Sequence, residues 1–104
     1  LAWLTGRTAL ITGSSQGIGL SLACGLAQAG AAVVLNGRDA AKLSAAADTV
    51  CATVSGARVT FAAFDVTNAA AIEREVARIE AEFAPINILI NNAGIQRRAP
   101  LAEM

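Results

Sequence analysis

The sequence has no histidine and no tyrosine, and its single lysine is Lys42. Those residue types supply most general acids and bases near neutral pH, so proton-coupled chemistry is left with a few carboxylates. Eight Lys/Arg balance eight Asp/Glu. That balance excludes the strong one-signed field that draws a chain to nucleic acid or to an acidic membrane surface. No apolar run approaches the roughly 18 residues that a membrane span requires. Leu1-Ala2-Trp3-Leu4 is too short for the core of a signal peptide, and a turn-like Thr5-Gly6 follows it. The two cysteines, Cys24 and Cys51, lack metal-ligand spacing. They are expected as buried or half-buried free thiols of a cytoplasmic protein.

What the chain does have is core. Hydrophobic residues make up 55% of its 104 positions and charged ones 15%, enough to argue against disorder and for one domain. Apolar runs alternate with segments of helical period. Thr8 to Thr12 reads as a strand, and Ile18 to Ala29 as a helix with Ile18, Leu22 and Leu26 on its apolar face. Gly30 is a natural stop. Ala32 to Leu35 is a second strand, and Asp39 caps a helix whose stripe is Leu43, Ala47, Val50 and Val54. Val59 to Phe64 is a third strand. Thr67 or Asn68 then caps a helix that buries Ile72, Val76, Ile79 and Phe83. Pro85 ends it before a fourth strand, Ile86 to Ile90.

The order is βαβαβαβ with short connections and strands apolar throughout. Such strands are buried on both faces of a parallel sheet flanked by helices. Right-handed crossovers give a Rossmann-type doubly wound α/β sheet in the order 3-2-1-4.

Thr12-Gly13-Ser14-Ser15-Gln16-Gly17-Ile18-Gly19 joins the first strand to the first helix. A glycine bend there presents free backbone N–H groups and the positive end of a helix dipole, which suits a phosphate. Gly13 is expected to make the tight turn, Gly17 the close approach to a diphosphate, and Gly19 the contact between helix and strand. The Ser14 and Ser15 hydroxyls and the Gln16 amide can add hydrogen bonds around phosphate and ribose. The spacing is T-G-x-x-x-G-I-G, not the dinucleotide fingerprint G-x-G-x-x-G. Asp65-Val66 follows the third strand, and Asn91-Asn92-Ala93-Gly94 ends the fourth.

These motifs, in this order, resemble the short-chain dehydrogenase/reductase family. The resemblance implies an NAD(P)-dependent oxidoreductase in which Asp65, with Val66, contacts the adenine. Asn92, Ala93 and Gly94 would line the cofactor pocket, and Asn91 would brace the end of its strand. Each has a structural alternative: Asp65 as the start of a turn, the asparagines satisfying backbone groups, Gly94 as a turn glycine.

A carboxylate at the end of the second strand would accept from a ribose 2′-hydroxyl and repel a 2′-phosphate. This strand ends Leu35-Asn36-Gly37-Arg38, with no carboxylate before Asp39. Asn36 and Arg38 therefore join the expected cofactor residues, with Arg38 pairing the phosphate or, alternatively, Asp39. NADP is favoured; NAD stays open because Gln16 is neutral where NADP-preferring relatives often carry a basic residue.

The family's catalytic Ser, Tyr and Lys have no counterpart here. The resemblance accordingly implies that residues 1–104 form the N-terminal, cofactor-binding part of a single domain, inactive alone, with no catalytic or metal-binding residue of its own. Asn91 to Pro100, with Leu4 to Arg7 and Asn36 to Arg38, is similar to the gluconate 5-dehydrogenases within the family. Arg97 and Arg98 suit the carboxylate of a sugar acid, although solvated arginines at a helix start or an interface would look the same. The complete protein is expected to be a homo-oligomer, a tetramer in many relatives. Two other readings share most of these motifs: a 3-oxoacyl-carrier-protein reductase, and a non-catalytic nucleotide-binding module.

Overall fold

The structure, a computed structural model, describes residues 3–92. Strands β1 (Thr8–Ile11), β2 (Ala32–Gly37), β3 (Val59–Ala63) and β4 (Ile88–Ile90) alternate with helices α1 (Gly17–Gln28), α2 (Ala40–Thr53) and α3 (Ala69–Glu82). All pairings are parallel, and the sheet order is β3-β2-β1-β4. This is the doubly wound order expected of right-handed crossovers.

Successive side chains of the central strands point to opposite faces, so one strand feeds two cores. Ala9, Ile11, Val33 and Leu35 pack with Ala23, Ala27, Leu43, Ala46 and Val50 on the α1/α2 side. Leu10 and Val34 pack with Ala62, Phe64, Ala71 and Ile79 on the α3 side. Burial on both faces holds for β1 and β2 but not for the edge strands. β4 is three residues long, starts two residues later than expected, and leaves Leu89 66% exposed.

The helix ends follow local chemistry. Asp39 Oδ1 accepts from the N–H groups of Ala41 (2.9 Å) and Lys42 (3.2 Å). Asn68, not Thr67, caps α3, its Oδ1 accepting from Ala71 N–H at 3.0 Å. Asn68→Ala is expected to lower the unfolding free energy by about 1 kcal/mol. Chemical denaturation reads this directly, and an unchanged midpoint would mean that the cap adds nothing to the packed helix. At the end of α1, Ala31 N–H donates to Leu26 O and Gly30 N–H to Ala27 O. These are the two bonds of a Schellman motif, so Gly30 stops the helix as expected.

Two expectations need correction. The buried face of α1 is Gly19, Ala23 and Ala27, not Ile18, Leu22 and Leu26. Ile18 is 63% exposed and Leu22 37%, while Leu26 is half-buried against the core. Both stripes repeat every four residues, and the small one wins because it lets the helix sit close to the sheet. Cys24 is half-buried as expected, but Cys51 is exposed on the outer side of α2. Among the described residues, no helix is long and apolar enough to cross a membrane.

Candidate functional site

In a parallel sheet the C-terminal ends of all strands share one edge. Here the β1–α1 loop, the end of β2, the β3–α3 turn and the end of β4 meet along it. Thr12 N–H donates to Ile90 O at 3.0 Å, and its hydroxyl lies 3.2 Å from Asn91 Oδ1. Asn92 Nδ2 donates to Gly13 O at 3.0 Å. Gly13 N–H donates to Asn36 Oδ1 at 3.2 Å, and Ser14 N–H to Asn36 O at 2.8 Å. The base of the loop is thus tied to β2 and β4.

Gly13 turns with φ 59° and Gly17 with φ 62°, the left-handed region that glycine adopts without strain. A Cβ on Gly17 would meet nothing within 4 Å, so the loop is open above it. A Cβ on Gly19 would run into the carbonyl oxygen of Gly13, with Asn92 Nδ2 at 2.7 Å and Ser14 Cα at 2.8 Å. Gly13 therefore turns the chain and Gly19 packs the helix close to the loop, while Gly17 faces open space.

The N-terminus of α1 differs from the other two. Asp39 caps α2 and Asn68 caps α3, whereas Gln16 precedes α1 in extended backbone with no capping hydrogen bond from its side chain. The first intrahelical donor is Leu20 N–H, to Gln16 O at 3.4 Å. That leaves the N–H groups of Gly17, Ile18 and Gly19 without an intrahelical acceptor, and no carboxylate lies in this first turn. Uncapped donors at the positive end of a twelve-residue helix form a seat for an anion. Gln16, Gly17 and Ile18 are exposed around it, and Ser15 is half-buried.

Two expected contacts turn inward instead. Ser14 is fully buried; its hydroxyl donates to Ile11 O at 2.7 Å and accepts from Asn36 N–H at 2.9 Å. Asn36 is 1% exposed, and its Nδ2 donates to both Ala62 O and Phe64 O at 3.2 Å. Both side chains turn inward and brace the loop.

Arg38 stands outward at the end of β2, its side chain 80% exposed, with Nη1 3.6 Å from Asp65 Oδ2. Asp65 Oδ1 accepts from the N–H and the hydroxyl of Thr67 at 2.8 and 2.7 Å. Asp65 thus does start a turn, while its other oxygen faces Arg38. Val66 is half-buried and lines a cleft of about 370 Å³ with Leu10, Thr12, Phe64 and Asn91. Asn92 is fully buried, and its Oδ1 has no hydrogen-bond partner among the described residues. Ala93, Gly94, Arg97 and Arg98 lie outside the described residues.

A different cleft, about 510 Å³, opens at the opposite edge of the sheet among Thr8, Gly56, Arg58 and Asn87. The helices end there, so carbonyl groups and negative dipole ends surround it. It is the wrong end for a phosphate.

The family model described as short chain dehydrogenase matches residues 7–104. The chain belongs to the short-chain dehydrogenase family. Among curated members, it is 56% identical over 100 residues to a gluconate 5-dehydrogenase of Gluconobacter oxydans. It is 42% identical over 100 residues to a 5-keto-D-gluconate 5-reductase of Escherichia coli. Each alignment covers 96% of this chain, but only 38% and 39% of those short-chain dehydrogenases, so the chain spans less than two fifths of their length. Among solved structures it is similar to L-sorbose reductase of Gluconobacter frateurii, complexed with NADPH and L-sorbose. The TM-score is 0.77 and the identity 36%, over 85% of this chain and 33% of that one. The parallel sheet and its helices are therefore the Rossmann fold of short-chain dehydrogenases.

Proposed function

We propose that this chain is the dinucleotide-binding part of an NADP(H)-dependent oxidoreductase that interconverts gluconate and 5-dehydrogluconate. The observation that carries the binding reading is the uncapped N-terminus of α1 under an open Gly17. The dinucleotide fits this edge. The N–H groups of Gly17, Ile18 and Gly19 hold the diphosphate, with Ser15 and Gln16 beside it. Arg38 would meet the 2′-phosphate, and Asp65 and Val66 would border the adenine. Asn92, with Ala93 and Gly94 after it in the sequence, would line the cofactor pocket. When bound, the nicotinamide exchanges a hydride with the substrate carbon. The proton moves through residues of the complete protein, since this chain has neither Tyr nor His.

The substrate reading rests on likeness to the gluconate 5-dehydrogenase and the 5-keto-D-gluconate 5-reductase and on Arg97-Arg98, which suit a sugar-acid carboxylate. In the complete protein, Arg97→Ala or Arg98→Ala is expected to raise KM for gluconate about tenfold, the cost of one charge-assisted pair, with NADPH binding unchanged. A neutral polyol should lose little from either change. Steady-state kinetics on both substrates decides it, since parallel losses would move the arginines to folding or assembly. The same assay with 5-dehydrogluconate beside an acetoacetyl thioester tests the substrate class. Preference for the thioester would make the protein a 3-oxoacyl reductase. Nucleotide binding with turnover of neither would make it a binding module.

A further inference from the structure

We propose that Asn36 is a positioning residue: its side-chain amide holds the phosphate-facing loop in register with the end of β3, and so sets the distance between the two halves of the dinucleotide site. The inference rests on the dinucleotide reading and deepens it.

The last residue pair of the β1–β2 ladder is Ile11↔Leu35. Beyond it, Gly13 and Ser14 are held to β2 by Asn36 and by its exchange with Ser14. Gly13 N–H donates to Asn36 Oδ1 at 3.2 Å. The Ser14 hydroxyl accepts from Asn36 N–H at 2.9 Å, and Ser14 N–H donates to Asn36 O at 2.8 Å. On its other side, Asn36 Nδ2 spends both hydrogens on Ala62 O and Phe64 O. One short side chain therefore links three segments: the turn that aims α1, the end of β2, and the residue before Asp65.

The bonding asks for one acceptor and two donors on a two-atom reach, inside a site with 1% exposure. Asparagine has that set; aspartate lacks the donors, and serine offers a single hydroxyl. The consequence is geometric. In any one bound conformation, a dinucleotide has a defined span between its diphosphate and its adenine. The α1 N-terminus and the Arg38/Asp65 end must be held at that span before it arrives, and Asn36 is bonded to the segment on either side. Preorganisation of this kind acts on affinity, not on the chemical step.

The test compares wild type, Asn36→Asp and Asn36→Ser in the complete protein, titrated with NADPH, NADH and ADP. Asn36→Asp keeps the acceptor for Gly13 N–H but sets a carboxylate oxygen against two carbonyls. Affinity should fall by about tenfold to a hundredfold, as for a buried group left unpaired. The loss should be alike for all three ligands, because the adenosine diphosphate unit is common to them. At saturating cofactor, kcat should stay within about twofold. In Asn36→Asp the burial disfavours the charged carboxyl, so protonation restores one donor. Its affinity should therefore recover from about pH 8 to about pH 5.5 relative to wild type, with the protein remaining folded by circular dichroism. Asn36→Ser, which keeps a single hydroxyl and fits any space that asparagine fills, should fall between the two and show no pH recovery.

A wild type that binds all three ligands beside variants that bind them equally well would overturn the proposal and leave the dinucleotide reading standing. So would variants that lose melting temperature alone, with affinity and its pH profile unchanged. A wild type that binds none of the three would overturn both readings.

Discussion

Arg38→Asp in the complete protein is expected to weaken NADPH binding by about 2–3 kcal/mol, roughly 30- to 160-fold, because a charge-assisted partner is lost and a repelling carboxylate takes its place. NADH, which has no 2′-phosphate, should change by less than about threefold. Arg38 is free to make the exchange. Its pair with Asp65 is 3.6 Å long, and the side chains are 80% and 42% exposed. Pairs so open to water stabilise by only about 0–1 kcal/mol. A 2′-phosphate would therefore compete for Arg38 against a weak partner. Because Asp65 stays close, the positive field at this point is tempered, which leaves NAD use open. The mutant would set two carboxylates side by side, so Arg38→Ala is the control. It should keep the same order of losses at smaller size. Equal loss of NADPH and NADH in both variants would show that Arg38 supports the loop instead of reading the phosphate.

Gly19→Ala should cost stability and binding together. An added Cβ would press on the carbonyl oxygen of Gly13 and lie 2.7 Å from Asn92 Nδ2 and 2.8 Å from Ser14 Cα. Two of those three atoms are backbone and cannot rotate away. Overpacking of this kind costs about 1–3 kcal/mol, and the backbone contacts place it at the upper end. The gain in helix propensity, about 0.5–1 kcal/mol, offsets only part. A net loss of about 2 kcal/mol is expected, with dinucleotide affinity falling as Gly13 and Asn92 move apart. Gly25→Ala on the same helix is the comparison: its Cβ would meet nothing within 4 Å. That variant should hold or gain about 0.5–1 kcal/mol, with binding intact. Denaturant unfolding of the pair gives opposite signs if the account holds. Equal stabilities would mean that the helix can shift off the loop at no cost.

The strand order and the helix ends were legible because local chemistry fixes them. Asp39 and Asn68 cap, Gly30 terminates, and the apolar runs find the parallel ladder. The rotation of α1 was not. Ile18, Leu22 and Leu26 repeat with the same period as Gly19, Ala23 and Ala27, so periodicity cannot choose between them. The loop chooses, by bringing Gly19 against Gly13 and Asn92. The inward hydrogen bonds of Ser14 and Asn36 are hidden from the sequence for a related reason. A hydroxyl in a glycine-rich bend, or an amide near the end of a strand, can face a phosphate or a backbone with equal chemical sense. Only the placement of Ile11, Ala62 and Phe64 carbonyls shows that they face inward. Arg38 and Asp65 each stand out in the sequence, but the 3.6 Å contact between them does not, since they come from different strand ends.

The most direct test is a crystal structure of the complete protein with NADPH. The account predicts diphosphate oxygens within hydrogen-bonding distance of the N–H groups of Gly17, Ile18 or Gly19, and the 2′-phosphate on the Arg38 guanidinium. A nucleotide seated elsewhere, for example in the opposite cleft beside Thr8, Arg58 and Asn87, would contradict it. So would a diphosphate that leaves the α1 N-terminus untouched.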